Sequence, residues 1–521
     1  MRITFYVLAL LMVCAFSLYT KRSTSSKQED ARPPAVAGSF YPADPAELGK
    51  MLDQFLAQAQ AKVPAVPDLV AIVSPHAGYQ YSGPVAAYSY ALLKGRKPRR
   101  VVVIAPSHYE AFDFSSVYNG SAYSTPLGQV PVDREFINRL VKMHPSIQLS
   151  AVGHTPTAGK LEHALEVQLP FLQRVLGDFK LVPIVMGDQS WENCRALGVA
   201  LSKLIQGNDT LIVASSDLSH FHTYDDAVRM DHKTLQAIEE WAYLGMSINF
   251  ESSPRVWEAC GGGPIIAAMI AAERLGANQA QVLKYANSGD STGDHGRVVG
   301  YGAVALSKVA GRTVKEEAAF DLTQEEKDEL LRIAKKSVET AVLEHKVYQC
   351  PEPKLSALTN DRGAFVTLTK HGELRGCIGY LHAAQPLYLA VRDVAMHAAL
   401  RDRRFLPVSA SEVGELEYEI SVLSPLRRVM DVNRISVGLH GLLIRKGETQ
   451  GVLLPQVATD NNWDRLTFVK QTCRKAGLSE DAWRDADTDI FAFTAVVFHP
   501  VRKTRLEVLA PDLPMPAVAL F

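Results

Sequence analysis

The sequence predicts an α/β domain with a central, mostly parallel sheet and flanking helices, followed by an α+β domain. Short apolar runs alternate with helical patterns over residues 35–310, which is typical of helices that cover parallel strands. Residues 322–508 instead contain alternating strand patterns joined by a hairpin turn, which favour an antiparallel sheet with helices. A length of 521 residues is sufficient for two or three domains.

The composition is that of a globular protein and argues against several functional classes. Lys and Arg number 55 and Asp and Glu 56, for a net charge of -1, so there is no electrostatic basis for a nucleic-acid partner. Six cysteines are too few for a disulfide scaffold in so long a chain. No two of them have CxxC spacing, which argues against a zinc ribbon or a thioredoxin-like dithiol.

The N-terminal residues predict a membrane anchor or an export signal. Ile3 to Tyr19 is uncharged and apolar, and its length is at the short end for a membrane span. Ala15 to Ser17 resembles a signal-peptide cleavage site, so residues 1–20 are either a signal peptide or a membrane anchor. Residues 21–34 are a polar linker. We expect a membrane-anchored or exported protein, with its orientation left open because positive charge flanks both ends of the segment.

Four apolar runs predict buried strands in residues 35–310: Leu69–Val73, Val101–Ala105, Leu181–Val185 and Leu211–Ala214. Each run is followed by polar or small residues. If the strands are parallel, their C-terminal ends share one edge of the sheet, where α/β proteins bind ligands. We therefore expect four side chains to meet there: His76, His108, Asp217 and His220.

Two helices are expected beside this edge. A helical stripe of leucines predicts a helix over His163–Leu176, with Glu162 and His163 at its start. A second apolar helix opens after Cys260 and runs through Ala272. A cysteine at such a position has its thiolate stabilised by the helix dipole, although an isolated cysteine is commonly a small buried hydrophobe.

The composition changes around residues 311–321, which we interpret as a second linker. Thr323 and Glu326 form a capping-box pattern before a helix that runs to about Glu344. Further patterns predict helices and strands at Ala364–Thr369, Leu374–Gly379, Pro386–Leu400, Leu416–Leu423, Gly451–Leu454, Asp464–Ala476 and Ile490–Phe498. We expect residues 509–521 to form a loosely held tail.

Motifs of the first domain occur in an order that resembles the Memo family. The carrying segments are Ala37–Pro42, Ser74–Tyr79, Pro106–His108, Glu162–Phe171, Ser215–Asp217 with His220, and Cys260–Ile265. The resemblance covers about Pro33 to Ala310 and implies a fold similar to that of class III extradiol ring-cleavage dioxygenases.

The second domain resembles the AMMECR-type domain over about Leu322 to Val508. The carrying segments are Gly363–Leu368, Leu374–Gly379, Arg404–Pro407, Glu419–Leu423, Gly451–Val457 and Lys475–Leu478 with Trp483. The combination resembles the protein B–protein A fusion of the AmmeMemoRadiSam system, which implies a radical-SAM protein as a partner.

The Memo resemblance implies that His76, His108 and Cys260 ligate a metal ion. Two imidazoles and a thiolate leave room for water, a small molecule or a peptide in the metal cleft. Extradiol dioxygenases have a carboxylate as their third ligand, so a cysteine here argues against ring cleavage. By resemblance we favour iron(II), and the donor set also suits copper or zinc. The implied activity is that of a metal-dependent oxidoreductase or of substrate modification with the radical-SAM partner.

Other residues are candidates for supporting roles. His220 matches the acid/base histidine of the dioxygenases, with Asp217 either fixing its tautomer or capping a turn. His163 is a candidate hydrogen-bond donor to a metal-binding side chain or a candidate contact to the substrate. The alternative for both His163 and His220 is that they line a polar pocket without a catalytic role. Arg375 and Cys377 lie two apart on one predicted strand and either form an anion-tolerant pocket with a thiol or belong to a tight structural hairpin.

An alternative function for the whole chain needs no catalysis. The same cleft suits a metal- or peptide-binding scaffold that the N-terminal segment tethers to the membrane. Loss of turnover on removal of His220 would favour the enzyme over this scaffold.

Overall fold

The computed structural model describes residues 31–156, 159–252, 258–310 and 321–500. The chain divides into two compact units, Met1–Thr313 and Val314–Phe521, each with its own sheet. The predicted N-terminal segment 1–20 and tail 509–521, residues 21–30 of the predicted linker 21–34 and residues 311–320 of the predicted linker 311–321 lie outside the described residues and remain predictions. Ala31–Arg32, at the end of the first predicted linker, form a short strand. Among the described helices, none combines the length and apolarity needed to cross a bilayer.

The first unit is built on a nine-stranded sheet with a small three-stranded sheet beside it. Its strands are β1 (Ala31–Arg32), β2 (Leu69–Ser74), β3 (Arg100–Pro106), β4 (Ser115–Tyr118), β5 (Ala122–Thr125), β6 (Gly128–Pro131), β7 (Ile147–Ser150), β8 (Lys180–Met186), β9 (Thr210–Ser215), β10 (His220–His222), β11 (Gln279–Asn287) and β12 (Val298–Ser307). The large sheet has the order β10-β12-β2-β9-β3-β8-β4-β7, with β11 also paired to β12, and the small sheet has the order β1-β5-β6.

The four predicted strands are the centre of the large sheet. β2, β9, β3 and β8 are adjacent and parallel, as the apolar runs predicted, and they are almost entirely buried. The wider prediction of a mostly parallel sheet is wrong, because β12 pairs antiparallel with β2 and β4 pairs antiparallel with β8. The sheet is therefore mixed.

The helices of the first unit cover this sheet. They are α1 (Pro45–Gln60), α2 (Tyr79–Ala91), α3 (Arg134–Leu140), α4 (Leu169–Leu176), α5 (Trp191–Leu204), α6 (Tyr224–Glu239), α7 (Tyr243–Ser252), α8 (Gly262–Arg274) and α9 (Ser288–Thr292). Eleven successive residues of α8, Gly262 to Ala272, are buried, as expected for a helix that is apolar on every side. It packs against β9, β2 and β3 and fixes the position of the preceding Cys260.

One predicted helix begins later than expected. We predicted a helix over His163–Leu176, but the α-helix starts at Leu169, after a 3₁₀ turn at Glu166–Gln168. Pro170 favours a start at this point, because proline suits the first turn of a helix and lacks the N–H that the interior requires. His163 consequently lies in a loop before the helix.

The second unit is an antiparallel sheet with helices, as predicted. Its strands are β13 (Ala364–Lys370), β14 (Glu373–Tyr380), β15 (Leu416–Leu423), β16 (Arg427–Arg428), β17 (His440–Lys446), β18 (Thr449–Leu453) and β19 (Thr488–Phe498), in the order β14-β13-β15-β19-β17-β18 with β16 on β19. Its helices are α10 (Gln324–Leu343), α11 (Ser356–Thr359), α12 (Leu387–Leu400), α13 (Pro455–Asp460) and α14 (Arg465–Lys475). The capping box of Thr323 and Glu326 is confirmed.

Candidate metal centre

The predicted side chains meet where neighbouring parallel strands end. His76 lies two residues beyond β2, His108 two beyond β3 and Asp217 two beyond β9. The rings of His76 and His108 have centroids 5.2 Å apart, and Asp217 Oδ2 lies 4.0 Å from His76 Nε2. The convergence expected from parallel strand ends is confirmed for these three residues.

Three imidazoles form a compact cluster at this edge. The possible ligand atoms of His76, His108 and His163 all lie within 4.8 Å of one another. Burial and the neighbouring charge of His108 hold the pKa of His76 well below its ordinary value, and burial lowers the pKa of His163 to about 4. Neutral imidazole is the form that binds metal, so two of the three rings are ready to act as ligands.

The sulfur of Cys260 contacts one member of this cluster, His76. Cys260 Sγ lies 3.2 Å from His76 Nε2 and accepts a hydrogen bond from the Asp217 N–H at 3.3 Å. Burial raises the thiol pKa well above its ordinary value. The sulfur is therefore protonated in the metal-free protein, and a cation beside it would favour the thiolate. Sulfur and imidazole nitrogen donors suit a soft or borderline metal ion.

The Glu162 carboxylate fixes the orientation of the His108 ring by contacting its Nδ1 atom. Its Oε1 lies 3.0 Å from His108 Nδ1, and because an ionised carboxylate only accepts, that nitrogen carries a proton. In the neutral ring the lone pair is therefore on Nε2. Glu162 also accepts the backbone N–H groups of His108, His163 and Ala164. Carboxylate partners of this kind orient metal-binding histidines in other proteins.

The interaction between Glu162 and His108 shifts the pKa of both residues. Burial raises the pKa of Glu162, but the hydrogen bond and charge of His108 outweigh it and hold the pKa at about 2. Burial lowers the pKa of His108, but Glu162 outweighs it and the net shift is upward. Glu162 is thus ionised near neutral pH, and a metal ion on His108 competes with a proton. The sequence places Glu162 at the start of a predicted helix but does not indicate its contact with His108.

Asp217 and His220 make contacts that bear on their predicted roles. Asp217 Oδ1 accepts the backbone N–H of His76 at 2.8 Å, which fits the turn-capping alternative. A further carboxylate, that of Glu258, lies near the His220 ring: its Oε1 is 3.6 Å from His220 Nδ1 and accepts the His220 backbone N–H. Glu258 also contacts His222 Nε2 at 2.7 Å. The sequence carried no signal for Glu258, and the catalytic role of His220 remains a prediction.

Arg375 and Cys377 lie two apart on β14, as predicted. The Arg375 guanidinium is engaged by Glu412, with Nε to Oε1 at 2.9 Å, and by two backbone carbonyl groups. A methyl group at Gly376 would overlap the carbonyl oxygen of Ala398, so close packing requires this glycine. These contacts favour the structural hairpin over an anion-tolerant pocket.

Comparison with known proteins gives a match for each half of the chain. Residues 32–305 match the family model described as Memo-like protein, and residues 331–498 match that described as AMMECR1. A MEMO1 family protein of Methanopyrus kandleri is 38% identical over 287 residues, which are 53% of this chain and 99% of that protein. One from Ignicoccus hospitalis is 39% identical over 287 residues, covering 52% of this chain and 97% of that protein.

A crystal structure of an uncharacterized protein from Pyrococcus horikoshii is also similar. Its sequence identity is 36% with a TM-score of 0.32, and the match covers 33% of this chain and 90% of that chain.

Proposed function

The chain belongs to the Memo-like protein family and carries an AMMECR1 domain, and we propose that it binds a metal ion through His76, His108 and Cys260. The observation that supports this proposal is the approach of Cys260 Sγ to within 3.2 Å of His76 Nε2, beside the imidazole cluster. His163 lies close enough to add a nitrogen donor or to contact a bound substrate.

We propose iron(II) as the resident metal, with copper and zinc as alternatives. The fold that we infer, similar to extradiol dioxygenases, favours iron, whereas a thiolate ligand also suits the softer ions. When bound, iron would supply redox chemistry on a small molecule or peptide in the cleft. Cysteine replaces the carboxylate of the dioxygenases, so we propose an oxidoreductase or modification activity other than ring cleavage.

The side chains around the cluster have distinct tasks in this proposal. Glu162 orients His108, while His220, with Glu258 beside it, moves a proton to or from the bound substrate. Phe40 and the half-exposed Tyr109 have rings 4.9 and 6.1 Å from that of His163, which gives the cleft an apolar wall. Such a wall suits the flat or apolar part of a substrate.

The proposed partners and location follow from the fusion and from the N-terminal residues. We propose a radical-SAM protein as the functional partner, because both halves resemble members of one system. The apolar segment Ile3 to Tyr19 would anchor the protein to the membrane or export it. Expression with and without residues 1–20, followed by membrane fractionation, tests the location.

Metal binding is tested by anaerobic purification of the full chain with metal analysis. The unmodified chain is expected to retain about one metal ion, and His76→Ala is expected to lose it, because one imidazole donor is removed. His144→Ala is the matched control, since His144 is exposed and its Nδ1 contacts only its neighbour Ser146. Equal metal content in the two variants would reject the proposed ligand set.

The enzyme and the scaffold differ in the effect of His220→Ala. If His220 moves protons, iron-loaded His220→Ala should keep its metal but consume oxygen more slowly with ascorbate as reductant. Unchanged oxygen uptake, or none in either protein, would favour the metal- or peptide-binding scaffold.

A further inference from the structure

We infer that Ser215 and Gln168 are positioning residues that keep the proton of His76 on Nδ1 and so leave the Nε2 lone pair for the metal. The assignment comes from hydrogen-bond partners alone and does not depend on the proposed function. Only its consequence for metal affinity rests on that function.

The orientation of the Gln168 amide is determined by its partners. Its Nε2 lies 3.0 Å from the carbonyl oxygen of Pro75 and 3.3 Å from that of Ser74. Carbonyl oxygens only accept, so this end of the amide is the nitrogen. The other end, Oε1, accepts a hydrogen bond from the Tyr90 hydroxyl at 2.5 Å. Gln168 and Tyr90 are both buried, so protein groups and not solvent set the orientation.

The same reasoning determines the hydroxyl of Ser215. Its Oγ lies 2.6 Å from the carbonyl oxygen of Ala164, which receives the single hydroxyl hydrogen. Gln168 Nε2 donates to Oγ at 2.7 Å. His76 Nδ1 is the remaining partner, 2.9 Å from Oγ, and it must therefore be a donor. Ser215 is fully buried, so no other hydrogen is provided from solvent.

The consequence is a defined tautomer for His76. With the proton on Nδ1, the lone pair of the neutral ring is on Nε2, the atom that lies 3.2 Å from Cys260 Sγ. Asp217, two residues beyond Ser215, holds the backbone N–H of His76. The end of β9 thus fixes both the main chain and the ring of this residue. The Nδ1 atom of His108 is held by the Glu162 carboxylate, whereas the Nδ1 atom of His76 is held by the neutral hydroxyl group of Ser215.

The tautomer is tested on the full chain, metal-free, with ¹⁵N-labelled histidine. Long-range ¹H–¹⁵N NMR spectra distinguish a protonated Nδ1 from a protonated Nε2, and the signals missing in His76→Gln identify His76. The unmodified chain should show His76 protonated on Nδ1, and Ser215→Ala should lose this preference. A proton on Nε2 in the unmodified chain overturns the inference. This measurement needs no Ser215 variant, so it stands even if Ser215→Ala does not fold.

The second readout is affinity for cobalt(II), whose visible bands report the ligand set. Ser215→Ala should bind cobalt about 10–100-fold more weakly, as for other groups that orient metal-binding histidines. Ser89→Ala is the matched control, because Ser89 is equally buried and its hydroxyl bonds the carbonyl oxygen of Val73. Equal affinities of Ser215→Ala and Ser89→Ala would overturn the inference. If the unmodified chain binds no cobalt, the proposed function fails, and the NMR result still decides the tautomer.

Discussion

At the residue scale, Glu162 shows how one buried carboxylate organises several groups of the candidate centre. It accepts three backbone N–H groups and the ring of His108, and it is 4% exposed. Each oxygen faces donors, so the site requires an acceptor at both positions. An amide in the same place would point an N–H₂ group at one of these donors.

We expect Glu162→Gln to weaken metal binding. The substitution removes a charge and replaces an acceptor by a donor, so the His108 ring loses its fixed orientation. Affinity for cobalt(II) should fall by about 10–100-fold in a spectroscopic titration. Glu47→Gln is the control, because Glu47 is exposed in the first turn of α1. A Glu162→Gln variant with unchanged affinity would show that His108 is held by other contacts.

A second residue makes stability depend on pH. His154 is fully buried, its Nε2 donates to the Ser116 carbonyl oxygen at 3.0 Å and its Nδ1 accepts from the Tyr123 hydroxyl. Burial lowers its pKa to about 3, well below the ordinary value of 6.5. The unfolded chain therefore binds a proton at a higher pH than the native chain does, and native stability is lost as pH falls below about 6.5.

The His154 contribution should reach about 5 kcal/mol between pH 6.5 and 3, from roughly 1.36 kcal/mol per pKa unit. His154→Gln removes the titrating group, so its urea midpoint should fall less steeply with acidification than that of the unmodified chain. His144→Gln, at an exposed position, should keep the unmodified slope. Parallel curves for all three proteins would contradict the assignment.

Sequence reasoning identified the candidate ligands but missed their partners. His76, His108 and Cys260 follow recognisable apolar runs or precede a helix, which places them at strand and helix ends. Glu162 contacts His108, 54 residues away, and Glu258 contacts His220, 38 residues away. From sequence alone a glutamate is expected at the surface, because most glutamates are exposed. Only the folded contacts reveal such residues.

At the element scale, a buried ion pair anchors the segment that follows β1. Arg32 Nη1 lies 2.6 Å from Glu166 Oε2, with side chains 1% and 0% exposed. The Glu166 carboxylate also accepts the N–H groups of Ala35 and Val36 and the hydroxyl of Tyr41. Since Arg32 further donates to the carbonyl oxygen of Glu162, this network supports the loop that carries the candidate centre.

Removing one partner of the Arg32–Glu166 ion pair should lower the stability of the protein. We expect Glu166→Ala to destabilise the protein by about 3–5 kcal/mol, because it leaves the Arg32 charge buried and unpaired. Asp53→Ala breaks an exposed pair with Arg174, whose side chains are 53% and 46% exposed, and should cost only about 0–1 kcal/mol. Urea denaturation followed by circular dichroism measures both changes. Similar midpoints for the two variants would be evidence against the anchoring role.

Elements were predictable where the pattern was local. The four central strands are continuous apolar runs. Their predicted and observed ends agree to within one residue. β17 was missed, because its apolar residues Leu442 to Ile444 form a short run whose burial depends on pairing with β19. The mixed direction of the large sheet was also unavailable to pattern analysis, because strand order and direction depend on contacts between distant segments.

At the scale of the whole molecule, the division into two units was visible as a change from layered to antiparallel patterns. The described candidate ligands, His76, His108, His163 and Cys260, all belong to the first unit. The M. kandleri MEMO1 protein matches this part of the chain over 99% of its own length, so a protein of this family exists without a second domain. The first unit therefore contains the whole of the proposed ligand set.

From this we expect residues 31–310, produced alone, to bind cobalt(II) with the affinity of the full chain to within about twofold, since each ligand and each group that orients it lies within that range. The d–d and sulfur-to-metal bands should be the same in both proteins, and His76→Ala should abolish them both in residues 31–310 and in the full chain. A folded first unit that binds cobalt ten times more weakly would mean that residues beyond 310 complete the site.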